Sequence, residues 1–251
     1  MRALRALTLI GGLLLVWRGI VWLTGVPPYI LPAPERVAVA WVSHAGLLLR
    51  SAAYTAGEIL LGLALGSTLG AGSALLMSCF RSARRWLMPV LVVSQAVPVF
   101  ALAPLLVLWF GYGIGSKVAM ATLIIYFPVT ASFFDGLRRT DPGWLDLAQT
   151  MGASAWATLR HVRIPAALPS LASGLRIAVA VAPIGAVVGE WVGSSAGLGH
   201  LMLYSNARMQ VDLLFAALAT LAMLAVALYT AVDLGLRRAL PWIPETSTLD
   251  E

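Results

Sequence analysis

Few residues in this chain have types and spacings that could do chemistry. Gly193-Ser194-Ser195-Ala196-Gly197 satisfies the G-x-S-x-G pattern of a nucleophile elbow, with His200 close behind, which would suit acyl transfer or intramembrane proteolysis. An elbow needs a strand before its serine and a helix after it. This stretch instead follows an apolar run and reads as a tight external turn. The glycine-rich run from Gly111 to Lys117 lacks the G-x-x-x-x-G-K-[ST] order that cradles phosphates. His44 and His161 have no ligand-like neighbour at helical spacing, and no Cys/His spacing suits a metal. The single Cys79 excludes an internal disulfide and reads as a small buried packing residue at the end of an apolar run. No catalytic and no metal-binding residue is therefore expected. Two acids near or in apolar runs remain, Glu58 and Glu190, and a charge at a bilayer centre costs at least about 2.5–3.5 kcal/mol. Glu190, beside Trp191, is expected to face a path or an external protein, or else the headgroups. Glu58 is expected to be interfacial or paired.

Composition gives these residues their setting. Of 251 residues, 60% are hydrophobic and 11% charged, against about 45–50% apolar and about 25% charged in ordinary soluble domains, which excludes most soluble enzymes. The net charge of +6 comes from 17 basic and 11 acidic residues. The bases flank apolar runs and form no single stripe interleaved with aromatics, so no nucleic-acid partner is expected. A bilayer core about 30 Å thick takes about 20 helical residues. Apolar runs of spanning length fall at 6–23, 54–79, 88–110, 117–134, 171–192 and 211–234. The prediction is an all-α, six-span membrane protein forming one domain over 1–251. Residues 1–50 supply the first span and an external proline-rich segment, 51–240 the core, and 136–170 a cytoplasmic loop within it.

The first run exceeds the usual signal core of about 7–15 residues and has no small-x-small site after it, so it reads as a span. Four prolines from Pro27 to Pro34 then keep the chain extended. With the N-terminus inside, Arg2, Arg5, Arg81, Arg84, Arg85, Arg138, Arg139, Arg160, Arg163, Arg237 and Arg238 are cytoplasmic. Arg36, Arg50, Lys117 and Arg208 lie outside. Eleven against four satisfies the positive-inside bias and places both termini in the cytoplasm.

Gly62, Gly66 and Gly70, continued by Ala74, leave one face of the second span nearly free of side chains for a close neighbour. Pro89, Pro98 and Pro104 break the third span, which either lines something inside the bundle or is a kinked packing helix. Ser94 and Gln95 on that span either bridge helices or meet cargo, and Tyr126 either stacks on a flat ring or fills space.

The loop of about 35 residues between spans four and five is too long for a simple connector. Asp141 can cap a helix that opens with Pro142, Gly152 can end it left-handed, and Ser154 can cap a second short helix. Trp144, Leu147, Ala148 and Met151 give the first helix an apolar face, suited to a docking role or to lipid headgroups. Pro165 and Pro169 are expected to stop further helix before span five.

These residues carry a resemblance. Asp146-Leu147-Ala148-Gln149-Thr150-Met151-Gly152, followed at fixed distance by Val162-Arg163-Ile164-Pro165, resembles the EAA motif of ATP-binding-cassette importer permeases. That motif runs EAA, three residues, glycine, nine residues, then Ile-x-Leu-Pro. Ala148, Gly152 and Pro165 match outright. Asp146, Leu147, Val162 and Ile164 depart from it, all conservatively except the larger Leu147. The stretches 98–106, 109–113, 174–176 and 197–199 are similar to the sulfonate, taurine, nitrate and thiamine-precursor branch, and 136–146 with 206–210 most to its hydroxymethylpyrimidine permeases.

The resemblance implies the type I importer permease fold in a bacterial-type inner membrane. It implies a second copy of the chain, a cytoplasmic ATPase dimer carrying ATP and Mg, and an external solute-binding protein. This chain would bind no cofactor. Asp146, Leu147, Ala148, Gly152, Val162, Ile164 and Pro165 would couple it to the ATPase. Ser94, Gln95, Pro98, Tyr126, Glu190 and Trp191 are the candidates for the path of a small polar solute. Hydroxymethylpyrimidine is the first expectation for that solute, with taurine, another sulfonate or nitrate as the alternative. An ion-coupled carrier would need mid-membrane ion ligands and an internal repeat, and neither is evident.

Overall fold

The structure, a computed structural model, describes residues 2–242, and among these there is no strand. Residues 1 and 243–251 of the expected domain, and the side chains of Arg2 and Arg5, lie outside what it describes. The helices in chain order are α1 (Arg2–Thr24), α2 (Pro34–Ser43), α3 (Ala45–Cys79), α4 (Arg81–Ala96), α5 (Val99–Phe110) and α6 (Ile114–Arg138). They continue as α7 (Pro142–Thr150), α8 (Ala155–Thr158), a π-helical turn (Leu159–Arg163), α9 (Ile164–Gly193), α10 (Leu198–Ala207) and α11 (Val211–Ala239).

Four stretches are long and apolar enough to cross a membrane: α3, α6, the run Ala155–Gly193 that ends in α9, and α11. The bent pair α4–α5 makes a fifth, and α1 offers the shorter apolar stretch Gly11–Thr24. The expected count of six is compatible with this set. The expected 54–79 begins earlier, at Ala45, because His44 closes α2 and residues 45–53 continue the helix.

The core is a stack of α3, α6 and α9 with α6 in the middle. Gly62, Gly66, Gly70 and Ala74 are buried along α3 as their spacing requires. A Cβ on Gly66 would meet Ile125 at 2.7 Å, and one on Gly70 would meet the Tyr126 carbonyl at 3.1 Å. The other side of α6 is approached as closely. A Cβ on Gly174 would lie 2.8 Å from the Pro128 carbonyl and one on Gly185 2.9 Å from the Ala121 Cα. Small residues thus let three backbones come together where, in lipid, packing and hydrogen bonds must do what water exclusion does in a soluble core. On the far side α11 carries α2 and α1, through Trp17 against Phe215, an Arg36–Asp212 ion pair at 3.2 Å and a Trp41–Thr220 hydrogen bond at 3.0 Å.

Four expectations are corrected. The third span is two helices at 105° to each other, not one run over 88–110. Val97 is extended, and Pro98 stands as the N-cap of α5. That pair lies on the outside of the protomer, with Leu91, Ala103 and Leu106 alone buried in it. Pro165 and Pro169 do not stop the chain. The Ile164 N–H bonds back five residues to the Leu159 carbonyl, and Pro165, which lacks a donor, falls in the first turn of α9 where one is dispensable. Cys79 is exposed, because it closes α3 on the side away from buried Ala74 and Met77. Finally, α2 interrupts the segment expected to be extended, with Pro34 serving as a helix-opening residue.

Candidate functional site: the coupling loop and a buried polar cluster

The loop between α6 and α9 folds as its local signals require. Asp141 Oδ1 accepts from the Gly143 N–H at 2.7 Å with Pro142 at the first helical position. At the other end of α7, Gly152 has φ +74°. Its N–H reaches the Gln149 carbonyl, and the Ala153 N–H reaches that of Ala148, each at 2.9 Å. Ser154 Oγ accepts from the Ala157 N–H at 3.2 Å and caps α8. The element is therefore closed at both ends by hydrogen bonds that cost no long side chain its freedom.

The motif residues separate by role. Ala148 is buried against the chain, while Trp144, Leu147 and Met151 are 57%, 59% and 78% exposed. Asp146 is exposed and makes no ion pair among the described residues. Val162 and Pro165 line an open, largely apolar cavity of 590 Å³ with Trp144, Leu147, Met151 and Trp242. Ile164 packs against the cluster of Phe133, Phe134 and Leu137. A further residue of this motif escaped the sequence reading. Arg163 donates from Nε and Nη2 to the Leu137 carbonyl at 3.3 and 3.0 Å, capping the last turn of α6 and tying the loop to it.

At the opposite end of the bundle lies a buried polar cluster. Glu190 is fully buried between α3, α9 and α10, which corrects the expectation that it faces a path, an external protein or headgroups. Its Oε1 accepts from Thr55 Oγ1 at 2.6 Å, and its Oε2 accepts from the N–H groups of Gly199 and His200 at 2.5 and 3.3 Å. Thr55 Oγ1 in turn accepts from the Leu198 N–H at 2.9 Å. Lys117, taken for an external base, is 1% exposed. Its Nζ donates to the carbonyls of Tyr112 (2.6 Å), Gly113 (3.0 Å) and Gly193. Glu58 is also buried beside this cluster, with Oε2 lacking a hydrogen-bond partner among the described residues. Burial of these charges was legible only as an insertion cost. What they touch depends on α10, which periodicity did not find.

The remaining path candidates are not gathered inside the protomer. Ser94 Oγ donates to the Leu91 carbonyl of its own helix at 2.7 Å, while Gln95 and Pro98 are exposed at the α4–α5 break. Tyr126 donates to Ser73 Oγ at 2.8 Å and so bridges α6 to α3, which is neither stacking on a ring nor mere space filling. Trp191 is 43% exposed. The serine-glycine turn is held by Ser194 Oγ against Ala196, and His200 stacks on Tyr204, so no nucleophile–base pair forms there among the described residues. Nor does any group of three potential metal ligands occur among them.

Residues 46–243 match the family described as the binding-protein-dependent transport system inner membrane component. The chain belongs to this family. A probable ABC transporter permease protein of Haemophilus influenzae is 56% identical over 237 residues, 94% of this chain and 97% of its own length. The formylaminopyrimidine transport permease protein ThiX of Halalkalibacterium halodurans is 38% identical over 216 residues, 86% of each chain. The riboflavin transport system permease protein RibX of Chloroflexus aurantiacus is 38% identical over 232 residues, 92% of this chain and 87% of that one. More distant relatives are named for aliphatic sulfonate and taurine transport. A chain of the MetNI methionine ABC transporter, from inward-facing conformations, shares the fold at a TM-score of 0.68 and 19% identity. It covers 78% of this chain and 97% of that one. This permease is accordingly a multi-pass membrane transport component of the ABC importer class.

Proposed function

We propose that this permease works as two copies around a central path, driven by a cytoplasmic ATPase pair that holds ATP and Mg, and supplied by an external solute-binding protein. Closure of the ATPases swings the coupling loops, the bundle opens outward, cargo enters, and hydrolysis resets it. Both chain termini then lie in the cytoplasm, on the side of α7. The observation that carries this reading is the form of α7, a short helix capped at both ends that turns three large apolar side chains away from the bundle. Small Ala148 and Gly152 allow close docking, exposed Leu147 supplies an apolar contact and exposed Asp146 a charge for a basic partner, and Val162, Ile164 and Pro165 pass the load into α9.

The cargo proposed is a flat nitrogen heterocycle, hydroxymethylpyrimidine or a close relative. The equal identity to permeases named for formylaminopyrimidine and riboflavin supports a heterocycle. The alternative is taurine, another sulfonate or nitrate. Ser94, Gln95, Pro98 and Trp191 are the accessible path candidates, brought to the path by the second copy. Tyr126 bridges two helices of one copy and is kept as a path residue only through its ring. An ion-coupled carrier is the weaker reading, because the Glu190 carboxylate is already taken up by Thr55 and by the N–H groups of Gly199 and His200, and no internal repeat is evident.

The test is ATP hydrolysis by the complex in lipid nanodiscs, for the native chain, Gly152→Trp and Asp146→Lys. Binding proteins are added empty or loaded with hydroxymethylpyrimidine, riboflavin or taurine. Stimulation by one loaded binding protein, lost in both variants, is expected. Cargo transport without any ATPase present would overturn the reading.

A further inference from the structure

Glu190 stands at one end of a long lever. The chain is helical without a break from Ala155 to Gly193, 39 residues or about 58 Å at roughly 1.5 Å per residue. The coupling loop joins one end, and the turn 194–197 leads from the other into α10. A four-residue turn between two helices is ordinarily a hinge. Here its freedom is removed from both sides. The Lys117 ammonium holds the last carbonyl of α9, at Gly193. The Glu190 carboxylate reaches back across the turn and takes the N–H groups of Gly199 and His200 in the first turn of α10, while Thr55, itself bonded to Glu190, takes that of Leu198. A helix leaves its first N–H groups unsatisfied, and its N-terminus favours an anion. In α10 that anion is a side chain of the preceding helix. The glycines at 197 and 199 make room for it. A Cβ at Gly197 would collide with the carboxylate, and one at Gly199 would lie 2.8 Å from Oε2.

We propose that Glu190 is a positioning residue that latches α10 to α9, so that displacement of the coupling loop is delivered through α9 to α10 at the opposite face of the membrane, making α10 the moving part there. This rests on the importer reading above. The latch needs acceptors rather than charge. In Glu190→Gln the amide oxygen can take the two N–H groups while its NH2 donates to Thr55 Oγ1, whose single hydroxyl proton, now given to Glu190, can turn to the Ser51 carbonyl 3.2 Å away. Glu190→Ala leaves the N–H groups of Gly199 and His200 without their acceptor.

The experiment places spin labels at exposed Ile184 on α9 and exposed Leu203 on α10, in a Cys79→Ser background. Distances are measured in the permease–ATPase complex with and without ATP and vanadate, alongside ATP-driven uptake of radiolabelled hydroxymethylpyrimidine or, if that is not the cargo, riboflavin or taurine. In the native chain and Glu190→Gln, the 184–203 distance should stay narrow and equal in both states. In Glu190→Ala it should broaden, with uptake falling at least about tenfold while ATP hydrolysis persists. Thr55→Val, which removes the Leu198 acceptor and one donor to Glu190, serves if the alanine variant does not assemble, and should broaden the distance less. A native 184–203 distance that shifts with nucleotide overturns the latch, as does normal uptake by Glu190→Ala. Equal loss in the glutamine and alanine variants does so too, since it would mean the charge itself is used. If the native complex shows no ATP-driven uptake at all, the importer reading fails. The label widths of the permease alone then decide the latch, equal widths in all variants overturning it.

Discussion

A side chain at Gly197 faces two penalties at once. The backbone there has φ +103°, and a Cβ would enter the Glu190 carboxylate. A left-handed or more strained conformation costs a non-glycine residue about 1–3 kcal/mol before any collision. Gly197→Ala is therefore expected to lower the thermal midpoint of the permease in nanodiscs by several degrees. Gly72→Ala on α3, where nothing lies within 4 Å, should not move it. Equal midpoints for the two would show that neither the collision nor the conformational strain is felt at Gly197. Gly152 differs in kind. Its φ of +74° carries the conformational demand, but the space around it is open. Gly152→Asn should accordingly retain ATPase coupling, since asparagine tolerates this conformation, and Gly152→Val should lose most of it, read as stimulated hydrolysis. Caps of this sort were legible in the sequence because Asp141, Pro142, Gly152 and Ser154 act on neighbours two to four residues away. The contacts of Glu190 with Thr55 and of Lys117 with Gly193 were not, because they join positions 135 and 76 residues apart.

Between helices, the stack depends on how near α6 can come to α3 and α9. A Cβ on Gly185 would lie 2.9 Å from the Ala121 Cα, and that neighbour is backbone, which cannot rotate aside. Gly185→Val should then force the α6–α9 pair apart, at about 1–3 kcal/mol or more for overpacking, and show as lost yield of monodisperse protein. Gly57→Val, with open space around it, should purify normally. Arg163 gives a second expectation at this scale. Arg163→Ala removes the cap on the Leu137 carbonyl, so amide exchange in residues 137–163 should quicken while that of α3 stays unchanged. No change in 137–163 would mean that the loop is held by Ile164 and Leu159 packing alone. The α3 face was readable from its four-residue glycine spacing, which is a helix period. The unbroken run into α9 was not, because proline reads as a stop wherever the helix around it keeps its ordinary register, and the π-helical turn at 159–163 changes that register.

For the whole molecule, the bend between α4 and α5 poses the largest physical demand. Non-helical backbone is tolerated at membrane depth only where protein covers it or water reaches it. Val97 is extended and Pro98 has no N–H to give, yet Gln95, Val97, Pro98 and Phe100 are all exposed on the single protomer. The second copy proposed above, meeting this face with a wet path between, would answer that demand and would account for residues expected inside one bundle lying on its surface. Exposure by itself does not distinguish this face from others. Trp22 on α1 is 81% exposed, and α1 consists of helix with its backbone hydrogen bonds already made. Single cysteines at Phe100 and at Trp22, each in a Cys79→Ser background, should therefore behave differently in native membranes. Phe100→Cys is expected to give a crosslinked dimer with a short bis-maleimide, and Trp22→Cys to remain monomeric. Crosslinking through Trp22 with none through Phe100 would place the subunit boundary on α1 and leave the bend to be covered by another chain. Dimers through Phe100 that weaken when cargo-loaded binding protein and ATP are present would further tie the bend to the path, because the same surface would then both join the copies and part during transport.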